Sequence, residues 1–225
     1  SNTVGLVDGG NVSFGNIATG YTYAFPKAQI TYRTPDMSGF KLAVGIMDPN
    51  KLSADSDEDM PRFEAELTYD TKFDGGSAKG WINGMSQSSE VAGVSQDQSG
   101  VGYGVNVKIA DFSLTASGFT AEGVGHVAGL DQFVGAESIE TDGYLMQASY
   151  TMGDNRFVVS YGESTVDDST VETESSNTNI SYFRTVIPGV TLVAEINKTE
   201  IENNDASDMT AEENNVFSIG AVVTF

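Results

Sequence analysis

Apolar and polar residues alternate along most of this chain. In "RFEAELTY", Phe63, Ala65, Leu67 and Tyr69 are interleaved with Arg62, Glu64, Glu66 and Thr68. In "GVGYGVNVKI", Val101, Tyr103, Val105, Val107 and Ile109 oppose Gly102, Gly104, Asn106 and Lys108. Successive side chains of an extended strand point to opposite sides, so this period of two predicts strands with one apolar face. "AQITYRT", "FKLAVGIM", "GYLMQASYT", "RFVVSYG" and "VTLVAEIN" follow the same rule, as does the terminal "NVFSIGAVVTF", with Phe217, Ile219, Ala221, Val223 and Phe225 in phase. Residues 78–87 and 176–185 are less regular, because "WINGM" and "NISYFR" carry large apolar groups on both sides. The pattern predicts about eleven strands of roughly eight to eleven residues, a length that crosses a bilayer when tilted.

The connections alternate as well. "TPDMSG", "FDGGS", "AD", "MGDN" and "VIPG" are short and rich in the Gly, Pro, Asp and Asn that tight turns use. Between them, residues 49–61, 88–99, 122–140, 165–175 and 200–212 are predicted as long loops. These loops hold most of the acidic residues, as in "DSDEDM" and "DDSTVETE", so one end of the molecule is strongly anionic. Aromatic residues mark the other end. Tyr32 and Phe40, Tyr69 and Phe73, Phe112, Tyr150 and Phe157, and Phe183 all stand next to short turns, as in an interfacial girdle.

Composition narrows the functional classes. Eleven basic against 32 acidic residues give a formal charge of -21, which excludes a phosphate-binding surface and hence nucleic acid as a partner. With no cysteine there is no disulfide, thiolate metal site or thiol nucleophile. No apolar run is long enough for a membrane helix. An alternating strand can bury its apolar face against a second sheet or against lipid. Alternation alone therefore leaves a soluble sandwich open, whereas the two unlike ends favour a barrel in a membrane.

The terminal "VFSIGAVVTF" and the passage "AQITYRTPDMSGFKLAVGIMDP" make the chain resemble the Gram-negative general porins. The resemblance implies an all-β fold, an antiparallel transmembrane β-barrel of sixteen strands, about eleven of them in this chain. It also implies a homotrimer in the bacterial outer membrane, bordered by lipid and lipopolysaccharide, that passes small hydrophilic solutes by passive diffusion. The final aromatic strand, ending at Phe225, would serve as the signal read by the barrel-assembly machinery. Residues 1–27 are expected to be the constriction-loop region and residues 28–225 the barrel strands. Strand parity and the cost of unpaired sheet edges in hydrocarbon favour the C-terminal portion of such a porin. The alternative is a complete twelve-stranded barrel using "GNVSFGNI" or "TGYTYAF".

In a diffusion pore the side chains opposite the lipid face set the local potential. By alternation the expected wall includes Arg33, Lys41, Arg62, Glu64, Glu66, Lys79 and Lys108. The resemblance implies that Arg33, Arg62 and Lys79 form a basic arc and that Asp8 is the facing acid on the constriction loop, the alternative being that its Gly-rich loop is surface-exposed. The competing reading has these charges pairing locally near the rims. Inward-facing Ala43, Gly45, Gly102 and Gly104 suggest an open lumen, and the acidic loops suggest preference for cations. Asp55, Asp57, Asp59 and Glu66 follow the spacing of a calcium loop, but Met60 stands where the sharp turn needs glycine. The single histidine, His126, lies in a loop, so no Ser–His pair on a wall is expected; no enzyme, cofactor or metal is assigned. An adhesin-like structural barrel that binds a partner through its loops shares all these features and remains the alternative function.

Overall fold

The computed structural model describes residues 19–21, 28–58, 60–124, 138–168, 171–204 and 211–224. Asp8, Asp59, His126 and Phe225 lie outside them. Eleven strands are formed: β1 (Gln29–Arg33), β2 (Phe40–Met47), β3 (Arg62–Phe73), β4 (Gly76–Val91), β5 (Val94–Ile109), β6 (Phe112–Glu122), β7 (Glu140–Met152), β8 (Asn155–Asp167), β9 (Glu172–Ile187), β10 (Val190–Asn203) and β11 (Ala211–Val223). They make one antiparallel sheet in sequence order, β1 and β11 being the ends of that order. No described residue is helical.

The sheet is inverted relative to a water-soluble one. On one face Val44, Leu67, Val105, Leu114, Ile180 and Ile196 stand exposed, while on the other Asn177, Asn179, Ser181 and Asn197 are buried. Adjacent residues show the contrast: Val159 is 51% exposed and Ser160 only 3%. Exposed apolar area costs roughly 25 cal/mol per Å² in water, so a face of this extent is stable only against hydrocarbon. Among the described residues no second sheet covers it, which removes the sandwich. The small buried apolar cluster, Val158, Phe183 and Val193 with Val222, lies on the polar face instead.

The short turns fall where expected, as do the β2–β3 and β6–β7 connections at 48–61 and 123–139, and the other three long connections are shorter than expected. Residues 88–99 are no loop: β4 and β5 run on as 16-residue strands and meet at Ala92 and Gly93, both with positive φ (52° and 80°). The predicted loops at 165–175 and 200–212 shrink to 168–171 and 204–210, because β8, β9 and β10 extend into them. These segments are polar on both sides, so alternation could not reveal them; backbone pairing keeps them extended, helped by the Thr173–Asn203 and Asn204–Glu172 side-chain hydrogen bonds.

The connection from β2 to β3 is ordered by two devices. Asp57 and Glu90 exchange backbone hydrogen bonds of 3.0 and 2.8 Å along the free edge of β4. The Gln87 amide accepts from Asn50 N (3.1 Å) and donates to Asn50 O (2.8 Å), standing in for a peptide group. At the first short turn, Gly39 N donates to Asp36 Oδ1 (2.9 Å) while Lys41 Nζ lies 3.4 Å from Asp36 Oδ2. The Gly39 amide, and secondarily Lys41, holds this carboxyl below its ordinary pKa.

The girdle needs one correction. Phe40 stacks on Tyr69 (4.4 Å), Phe112 on Tyr150 (4.7 Å), and Phe157 on Tyr182 (5.1 Å), all on the apolar face. Phe183 belongs to the polar face, where Arg156 sits 4.3 Å over its ring. Tyr182 takes its place in the girdle, as the phase set by Ile180 dictates.

Candidate functional site

Cross-strand register arranges the polar face in rows. One row runs Arg33, Ala43, Glu66, Asn83, Gly102, Phe119 and Gly143 across β1 to β7. The next runs Thr31, Gly45, Glu64, Met85, Gly100 and Ala121, and a third Gln29, Met47, Arg62 in β1 to β3. The missing side chain at Gly100 hollows this part of the wall, whereas Thr31 Oγ1 closes over Gly45. The result is a recess of about 440 Å³, ionic on the β1–β3 side and apolar on the β6 side, where Phe119, Ala121 and Val124 line it. The amide of Asn83 lies over Gly102, where a Cβ would come within 2.6 Å of its Oδ1.

Four of the expected wall residues meet here: Arg33, Arg62, Glu64 and Glu66. Arg62 Nε lies 2.7 Å from Glu64 Oε1, a contact set by charge and not aligned as a hydrogen bond. The Arg62 side chain is buried, and its Nη1 has no hydrogen-bond partner among the described residues. Arg33 and Glu66 form no ion pair among the described residues. The other three lie nearer the short turns. Lys41 is taken up by Asp36. Lys79 is the register partner of Asp70, and Lys108 that of Ser77. Of the expected basic arc, Arg33 and Arg62 share the recess with Glu64 and Glu66, whereas Lys79 stands apart from them opposite Asp70.

Gly104, expected to leave space, does not. Trp81 lies across it, so that a Cβ there would come within 2.6 Å of the ring atom Cε2. Sequence reasoning also missed Arg156 and Phe119 as polar-face residues, although the period of two places both opposite apolar neighbours. The Gln87–Asn50 pair had no signal in the sequence, because a side chain bonding to a distant backbone leaves no periodicity.

A different surface forms on the same face of β8 to β10. Asn179 Nδ2 donates to Asn197 Oδ1 (3.1 Å), Asn177 Nδ2 to Thr199 Oγ1 (2.7 Å), and Ser181 Oγ to Glu195 Oε2 (3.1 Å). Asn197 also donates to Glu195. Glu195 is 1% exposed, so its charge is held by these donors instead of water. Close by, Gly20 N donates to Ser164 Oγ (2.7 Å), and a Cβ at Gly20 would fall 3.0 Å from Gly162 Cα. Residues 19–21 thus lie on the polar face of β7 and β8. Among the described residues no group of His, Asp or Glu is arranged to hold a metal.

The fold recurs in solved structures. The outer membrane channel DcaP of Acinetobacter baumannii aligns with a TM-score of 0.71 at 17% identity, covering 88% of this chain and 62% of that one. An anion-selective porin from Comamonas acidovorans aligns at 0.59 and 16% identity, covering 87% and 57%. OmpT of Vibrio cholerae, with its loop L8 deleted, aligns at 0.56 and 15% identity, covering 87% and 62%. This chain accordingly spans less than two thirds of each of them. No curated protein sequence matches it. Residues 1–206 match the model of the Gram-negative porin family. An inverted antiparallel sheet, outer-membrane relatives in structure and a family match over most of the sequence place this chain in the bacterial outer membrane, as a member of the Gram-negative porin family.

Proposed function

We propose that the chain forms most of the wall of a water-filled channel through which small hydrophilic solutes and ions diffuse passively. The observation that carries this reading is the inverted sheet: a face of serine, asparagine and charged side chains backed by one that only lipid can cover. We further propose that residues 1–27 fold inward as a constriction loop, Asp8 among them. The seating of Gly20 against Ser164 supports that placement. Outer-membrane lipid, lipopolysaccharide and two further copies of the chain are the proposed neighbours, and the strand ending at Phe225 the assembly signal.

Cation preference is the proposed selectivity. The net charge of -21 is concentrated at the long-loop end, where Asp55, Asp57, Glu58 and Glu90 cluster around the bridged β2–β3 connection. Carboxylates at a channel mouth raise the local cation concentration, and salt screens the effect with a Debye length of about 10 Å at 0.1 M. The polar face pulls the other way, since it holds most of the eleven basic residues. The mouth should therefore dominate at low salt. The test is the reversal potential of the full-length protein in a planar bilayer under a KCl gradient: cation preference is expected to weaken as mean salt rises. Anion preference at low salt overturns the charge argument, and absence of conductance overturns the channel.

A further inference from the structure

The recess on β1 to β6 has a composition that a plain diffusion wall does not require. Its ionic side is balanced, Arg33 and Arg62 against Glu64 and Glu66, and faces an apolar side formed by Met85, Phe119 and Ala121. A wall of one sign would favour ions of the other, whereas a neutral recess with both signs favours neither. Arg62 is the second observation. It is 3% exposed, lines the recess, and its Nη1 makes no hydrogen bond among the described residues. A buried guanidinium nitrogen left unpaired is costly, and a carboxylate is its natural partner. Glu66, without an ion pair among the described residues, stands beyond Ala43 from Arg33, so a cation and an anion can be held side by side.

From these features we infer that the recess is a subsite for small zwitterions with an apolar side chain, amino acids of the leucine type. The carboxylate sits against Arg33, with the positive charge of buried Arg62 behind it, the ammonium against Glu66, and the side chain over Phe119 and Ala121. A volume of about 440 Å³ accommodates one such solute. Gly100 bears no side chain between Met85 and Ala121, while Thr31 and Asn83 close over Gly45 and Gly102 and form part of the lining. The inference rests on the channel reading, because solute must enter along this wall.

Proteoliposomes of the full-length protein test it. Flux of L-leucine is measured against leucinamide, which keeps only the cation, 4-methylpentanoate, which keeps only the anion, and glucose as an uncharged reference. Leucine flux is expected to saturate, and to be inhibited by unlabelled leucine more than by either analogue. Arg33→Ala and Glu66→Gln, both at accessible positions that folding does not depend on, should each reduce the preference for leucine over glucose about two- to fivefold, the effect of one solvent-accessible ion pair. Non-saturating leucine flux with normal glucose flux, or a preference untouched by both substitutions, overturns the subsite and leaves the channel standing. Loss of flux for every solute, glucose included, overturns both.

Discussion

At the scale of single residues, Trp81 and Gly104 show how closely the polar face is fitted. The indole lies across the glycine because no Cβ is there to hold it off. Gly143 serves Phe119 in the same way, since a Cβ would fall 2.6 Å from the ring atom Cε1. Gly104→Ala is expected to push the ring outward and to cost about 1–3 kcal/mol, the usual penalty of overpacking. Trp81 is the one tryptophan of the chain, so its fluorescence reports the displacement directly. The double variant Trp81→Ala/Gly104→Ala should recover part of the loss in a urea titration; equal or greater destabilisation would show that the contact is not the cause. Alternation told which way Gly104 faces and suggested an opening. What occupies that opening depends on a residue of the neighbouring strand, more than twenty positions away, and no local pattern carries such information.

Among the elements, the β4–β5 hairpin departs most from the sequence reading. Its outer part, with "SQSSE" on one strand and "SQDQSG" on the other, has no apolar face to alternate. It lies beyond the band that lipid covers, and backbone pairing keeps it extended together with polar contacts such as Ser88–Ser95, Ser89–Gln98 and Asp57–Glu90. The turn fits this role imperfectly. Ala92 and Gly93 both have positive φ, as a two-residue turn between twisted strands requires, yet alanine in the left-handed region is strained. Ala92→Asn should relieve that strain and stabilise the hairpin tip by about 0.5–1 kcal/mol. Amide exchange of residues 88–98 should slow two- to fivefold while exchange in β10 is unchanged. No slowing at 88–98 would mean that the tip is held by contacts other than its turn. The five turns at the opposite end were legible from the start, because they interrupt strands whose apolar face is unmistakable.

For the molecule as a whole, the inversion of its two faces makes a prediction that a water-soluble sheet would reverse. Val105 sits midway along the apolar row of β5, Val101, Tyr103, Val105, Val107 and Ile109, of which all but the half-buried Val107 are exposed. Val105→Arg is expected to cost about 2–4 kcal/mol, the penalty of a cation at the bilayer midplane. Thr31→Arg, on the accessible part of the polar face, should stay within about 0.5 kcal/mol. Urea unfolding after refolding into lipid vesicles measures both, and equal effects would mean that the apolar face does not meet hydrocarbon. The sequence by itself determined the number of strands, the two faces of the clearly alternating segments, the short-turn end and the acidic end. These are local properties: an extended chain alternates whatever its neighbours are, and a turn declares itself by its own residues. Only the tertiary structure decided which side chains share a row, and so brought Arg33, Arg62, Glu64 and Glu66 to one recess, filled Gly104 with Trp81, set Gln87 on Asn50 and seated Gly20 on Ser164. Register sets the first two, because a slip of one residue would send every side chain of a strand to the opposite face, and hydrogen bonds to residues outside the strands set the other two, which no local pattern relates.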